Sequence, residues 1–151
     1  MRPTAAVSRH RWALAWAGLT AAFALHVLDE AAHDFLAWYN PAALALRARL
    51  GGLPFPPVFS FPVWLAGLCM AIALLAGLTP LVRPGRRWIA ALAYAYGLVH
   101  AANAVGHLAV SARGRWLAPG ALSSPLLLAA ALWLLYETAR ARRRGPDEPD
   151  G

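Results

Sequence analysis

WALAWAGLTAAFALHVLDEAAHDF, Trp12 to Phe35, opens with fourteen residues that carry no charge and closes with two histidines and three carboxylates. The apolar part and its continuation are long enough to cross a bilayer, which takes about 20 residues in a helix. Three further stretches qualify by the same measure, so the spacing predicts spans at about 12–35, 59–82, 88–110 and 117–137. With 60% hydrophobic and 14% charged residues in 151, and a mean hydropathy of +0.48, the chain is too apolar for a soluble domain of this size. The expected fold is all-α: a four-helix transmembrane bundle forming one membrane domain over residues 1–139.

Between the first two spans, NPAALALRARLGGLPFPP reads as a short interfacial helix that ends at Gly51 and Gly52, followed by a proline turn. Residues 140–151 read as a tail, basic and then acidic and Pro-rich, with RGPDEPDG too polar to fold. The lone Cys69 lies in an apolar run and leaves neither a disulfide framework nor a CxxC motif.

The formal charge of +7 comes from arginines in short clusters between apolar runs, which is no nucleic-acid footprint. Arg2, Arg9, Arg11, Arg83, Arg86, Arg87, Arg140, Arg142, Arg143 and Arg144 fall on one side of the four spans. Only Arg47, Arg49, Arg113 and Arg115 fall on the other. By the positive-inside rule both termini are cytoplasmic. Every basic residue is arginine and alanine is abundant, which suits a GC-rich bacterial genome and an inner-membrane location. A secretory signal cut after AFA, 22–24, is the rival reading. Trp12 and the helical pattern continuing past that point favour a retained span.

At about 100° per residue, His26, Asp29, Glu30 and His33 share one helical stripe. In the third span Tyr96, His100, Asn103 and His107 share another, at steps of 4, 3 and 4 residues. Measured from Trp12 and Trp88 at about 1.5 Å per residue, His26 and His100 lie roughly 21 and 18 Å above the inner boundary. Glu30 and His107 lie roughly 27 and 28 Å above it. Two level stripes of ionisable groups in the outer half of a bilayer are costly facing lipid and belong in the bundle interior. Helix-end hydration accounts for Asp34 but not for His100 or Asn103. The first and third helices are therefore expected to be neighbours.

Imidazole and carboxylate are the usual ligands of zinc, iron and manganese, and helical spacing presents them on one side without bending the backbone. The metal-ligand candidates are His26, Glu30, His33, His100 and His107, for one or two ions, zinc or iron. Asp29 and Glu30 are the catalytic candidates, Asp29 as a further ligand or as the base that activates water. Asn103 and Tyr96 are supporting residues. The same groups could equally relay protons, since histidine titrates near neutrality. Elsewhere, Ser123 and Ser124 read as helix caps, Glu137 and Arg140 as a surface pair, and the seven tryptophans as membrane anchors.

HVLDE at 26–30, NAVGH at 103–107 and APG at 118–120 together resemble the HXXEE-domain family of small integral membrane proteins. Asp29 stands where the family's name has Glu. The resemblance covers nearly the whole chain, implies the four-span architecture, and singles out His26, Asp29, Glu30, Asn103 and His107 without supplying a reaction. The expected function is a metal-dependent membrane hydrolase or oxidoreductase acting on a lipid or other hydrophobic substrate in the bilayer. The alternatives are a proton- or metal-coupled transporter or binding protein, and a structural membrane partner.

Overall fold

The computed structural model describes residues 5–83, 86–114 and 117–143, with side chains from His10 onward. These residues are all helical or loop, with no sheet. Five helices follow in order: α1 (Ala5–Ala32), α2 (Phe35–Arg49), α3 (Phe61–Leu78), α4 (Arg87–Gly114) and α5 (Ser124–Arg143), with a single 3-10 turn at Thr79–Leu81.

Helix α1 is the hub. Its buried residues, Trp12, Ala15, Trp16, Leu19, Thr20, Ala22, Phe23, His26, Val27 and Glu30, recur at three- and four-residue steps and make one inward stripe. The ends of the stripe fix how the helices run. Trp12 donates its indole N–H to Thr138 Oγ1 at 2.9 Å, and His26 reaches Ser123, so α5 is antiparallel to α1. Tyr96 bonds Thr20 and His107 meets Glu30, so α4 is parallel to α1. The parallel pairing expected from the level polar stripes is thus found.

Helix α1 stops at Ala32, three residues short of the expected span. Asp34 adopts φ 51°, the left-handed region that Asp tolerates better than most residues. The chain turns there and restarts as α2, the expected short helix. Helix α2 is tied to the segment before α3. Asn40 donates to the Phe59 carbonyl at 2.9 Å and accepts from the Phe59 N–H at 3.1 Å, while Tyr39 bonds the Pro57 carbonyl.

Helix α3 begins after Ser60 with Pro62 in its first turn, where a missing N–H costs nothing. It leans on α1, where Trp16 donates to the Leu75 carbonyl at 2.8 Å. Val63, Met70 and Leu74 remain outward, an apolar surface suited to lipid. Helices α4 and α5 pack closely. A Cβ on Gly97 would come within 2.8 Å of Leu135, so the approach depends on glycine.

Three helical stretches among the described residues are long and apolar enough to cross a membrane: His10–Ala32, Phe61–Leu81 and Arg87–Gly114. Helix α5 falls short by that standard. It starts at Ser124 rather than at 117, because residues 119–123 are turns around Gly120 at φ 83°, and its last turns carry Glu137, Arg140, Arg142 and Arg143. Those arginines extend the helix through 143, where a tail was expected. The remaining tail, 144–151, lies outside the described residues.

Two further expectations are corrected. Glu137 is buried and pairs with Arg11 of α1 at 3.0 Å, not with Arg140 on the surface. Trp12, Trp16 and Trp64 are core residues with their indoles inside the bundle, whereas Trp38, Trp88 and Trp133 are exposed, as anchors would be.

Candidate metal centre

His26 and Glu30 stand one turn apart on α1, and His107 faces them from α4. All three are buried. His107 Nε2 lies 3.1 Å and His26 Nε2 3.5 Å from the same oxygen, Glu30 Oε1, and the two imidazole rings meet edge to face at 4.9 Å. The three ligand atoms lie within 4.8 Å of one another.

The loop before α5 closes this group from the side. Gly120, at φ 83°, puts its backbone where any Cβ would lie 2.8 Å from His26 Cε1, 3.0 Å from His107 Cε1 and 3.1 Å from Glu30 Cγ. Only glycine meets both the dihedral and the space. Three residues on, Ser123 places its hydroxyl 2.8 Å from His26 Nδ1 and donates it to Asp29 Oδ2 at 2.7 Å. The Ser123 N–H donates to the same carboxylate oxygen at 2.9 Å, so Asp29 also holds the start of α5.

These bonds fix the proton on His26. A hydroxyl has one hydrogen, and a carboxylate is the strongest acceptor within its reach. With that hydrogen on Asp29, the Ser123 oxygen accepts from His26 Nδ1–H, which leaves Nε2 as the nitrogen open to a proton or a metal ion. That Nε2 is fully buried without a hydrogen-bond partner. It faces the Glu30 carboxylate at 3.5 Å, an arrangement that a proton or a metal ion between them satisfies.

The donor set fits a metal ion. Four ligands about a zinc ion, each at about 2.0–2.2 Å, lie roughly 3.3 Å from one another. The two distances to Glu30 Oε1, 3.1 and 3.5 Å, match this, and all three donor atoms fall within 4.8 Å of one another. An imidazole whose other nitrogen is hydrogen-bonded through to a carboxylate is also how metal-binding histidines are usually oriented. The buried His26, Glu30 and His107 group could therefore hold a metal.

The other expected residues are placed as follows. His33 follows the end of α1 rather than continuing its stripe. It is 50% exposed on the side chain and bonded to Asp29 through Oδ1 and the backbone carbonyl, apart from the three-residue group. His100 is buried one to two turns below His107, its Nδ1 on the Tyr96 carbonyl at 3.0 Å and its ring edge-on to Phe23. Tyr96 donates to Thr20 Oγ1 at 3.2 Å and packs its ring against Trp16 at 5.0 Å with the planes tilted by 55°, a packing role. Asp29 has both oxygens engaged, on Ser123 and His33. Ser123, expected only as a helix cap, reaches a histidine 97 positions earlier, a pairing that nothing in the sequence marks.

Beside the group lies a cavity of about 460 Å³ between α1, α2, α3 and α4. His26, Glu30, His100 and Asn103 give it one polar wall. Phe23, Phe35, Tyr39, Phe59, Trp64 and Leu68 form most of the rest. The ligand group is thus open to a space large enough for a small ligand, while its far side is sealed by Gly120.

A family model described as "Protein of unknown function with HXXEE motif" matches residues 17–134. No curated protein and no solved structure matches the chain. The geometry gives the motif a physical sense. The first and last positions of His26-Val27-Leu28-Asp29-Glu30 are one turn apart and face the same donor cluster, while the acid between them reaches across to the start of α5. Asp suffices there, because its oxygen already lies 2.7 Å from Ser123. With the match covering most of its length and the motif at the centre of its buried polar site, the chain belongs to the HXXEE family.

Proposed function

We propose that the protein is a metal-dependent enzyme of the cell membrane that acts on a lipid or other hydrophobic substrate. The observation that carries this reading is the buried, unpartnered Nε2 of His26 turned toward Glu30, with its Nδ1 proton held by Ser123. His26, Glu30 and His107 hold one zinc or iron ion. Such an ion would supply Lewis acidity for hydrolysis of an ester or phosphoryl group, or a redox centre for oxidation.

The chain's own residues do the rest. Glu30 supplies the negative charge that keeps a cation in an apolar setting. Ser123 and Asp29 hold the Nδ1 proton of His26, so that Nε2 stays a ligand. Phe23, Phe35 and Trp64 keep water away from the polar wall. Asp29 acts as a positioning residue in this reading, because both its oxygens are taken.

In the membrane, α5 completes a four-span bundle. Its twenty residues rise about 30 Å, and its basic last turns sit with Arg83, Arg86 and Arg87 on the cytoplasmic side together with both termini. Reporter fusions at either end test this topology. A signal from outside the cell would remove the depth argument.

A second reading has its own observation. Asp29, Ser123, His26, Glu30 and His107 form a continuous string of polar contacts, which is also what a proton path in a coupled transporter requires. Elemental analysis of the purified protein separates the two. About one zinc or iron per chain, lost in His107→Ala, supports the enzyme. A metal-free wild type that chelator does not destabilise supports the relay.

A further inference from the structure

The cavity beside Glu30 has a direction, and its two ends differ. Helices α1 and α4 run outward and α3 runs inward, so Tyr39, Phe59 and Glu30 line its outer end, and Phe23, Leu68 and His100 line its inner end. From Val63 to Leu68 it follows α3 for roughly 8 Å at about 1.5 Å per residue. Its polar wall belongs to α1 and α4. The α3 side is apolar throughout, with Val63, Trp64, Gly67 and Leu68.

The mouth is lateral. Val63 of α3 and Val99 of α4 both line the cavity and are both 63% exposed, so the gap between these helices opens on the apolar outer surface of the bundle. In a bilayer that surface faces acyl chains, not water. Glu30 and His107, roughly 27 and 28 Å above the inner boundary of a core about 30 Å thick, stand level with the ester linkages of the outer leaflet. A lipid entering between Val63 and Val99 would bring its linkage to Glu30 and lay its chain inward along Phe23 and Leu68.

We propose that this cavity binds one acyl chain of an outer-leaflet glycerolipid, entered sideways between α3 and α4, with the chain's ester end at Glu30. This names the substrate class for the site proposed above and rests on that site lying in the membrane. It does not require the ion.

Gly67 provides the test. It lines the cavity, and a Cβ there meets nothing within 4 Å, so a side chain can start from Gly67 without strain, and Gly67→Phe should reduce the space. Gly77, on the same helix and outside the cavity, meets nothing either and serves as control. The full chain is placed in nanodiscs containing phosphatidylglycerol with a diazirine in one acyl chain, irradiated, and its adducts mapped.

In wild type and Gly77→Phe, adducts should concentrate at 63–68 and 99–103, and Gly67→Phe should lose that labelling severalfold. Should Gly67→Phe lower the melting temperature, Gly67→Leu carries the same comparison with less bulk. Equal labelling in wild type and the Gly67 variants, or adducts spread evenly over Met70, Leu74 and Trp133, overturns the proposal. Metal content is read on the same samples. Bound metal with even labelling rejects the acyl-chain cavity alone, and concentrated labelling without metal rejects the metal centre alone.

Discussion

His26 Nδ1 and Ser123 Oγ meet at 2.8 Å although 97 positions separate them, and the contact decides which nitrogen of His26 is left to bind anything else. Ser123→Ala removes the acceptor of the Nδ1 proton while leaving all three ligands in place. Its metal affinity should fall about 10–100-fold, the usual cost of losing such a partner. Ser123→Thr, which keeps the hydroxyl, should recover most of it. Competition with a fluorescent chelator measures both, and an unchanged affinity in Ser123→Ala would remove the assigned tautomer.

Gly120→Ala should be among the most damaging small substitutions in the chain. It forces a side chain into a left-handed conformation, at a cost of about 1–3 kcal/mol. It also drives the new methyl against His26, His107 and Glu30. Gly106→Ala, where a Cβ meets nothing within 4 Å, is the matched control. Melting temperatures in detergent should separate the two, and a neutral Gly120→Ala would contradict the closeness of the loop to the ligand group.

Acid should release the metal. A histidine ligand must be neutral to coordinate, so protons compete with the ion for His26 and His107, and affinity falls as pH falls. Retention of metal down to about pH 4 would mean that the two histidines are not ligands.

Glu30→Gln distinguishes a metal centre from a proton path. In a metal centre the change takes charge from the ion, so metal content drops and chelator ceases to shift the melting temperature. In a metal-free path a buried acid becomes neutral, and stability holds or rises while proton-linked transport stops. Thermal denaturation of wild type and variant, each with and without chelator, gives the answer.

At the inner end, Arg11→Ala leaves Glu137, 2% exposed, without its cation. An ionised group buried without its partner costs about 1–3 kcal/mol or more. Adding Glu137→Gln should restore part of the loss, because the amide carries no charge to strand. If the double variant is less stable than Arg11→Ala, the pair does not act as described.

The stripes on α1 and α4 were legible in sequence because helical spacing and depth are both simple functions of residue number, and Glu30 and His107 do meet. What sequence could not show was where α1 ends. The turn at Asp34 depends on a left-handed backbone that Asp permits without requiring, and it separates His33 from the ligand group. The role of the loop before α5 was equally hidden. Ala118 to Ser124 looked like the first turns of a fourth span, and its contacts with His26 and Asp29 exist only once α5 has folded back along α1. Glu137 was misplaced for a similar reason, since its partner lies 126 residues away rather than one turn along.

Helix α3 is fastened near its two ends, by the paired bonds between Asn40 and Phe59 outside and by Trp16 on the Leu75 carbonyl inside. Between those fastenings, Val63, Gly67 and Leu68 carry no polar contact that holds the helix in place. The width of the gap toward α4 is therefore set largely by Asn40, Trp16 and Leu75, which do not line it, while Val63 and Gly67, which do, are free to vary. A lineage could trade Gly67 or Val63 for bulkier or smaller side chains and change which molecules fit, with the frame and the His26, Glu30 and His107 group left as they are.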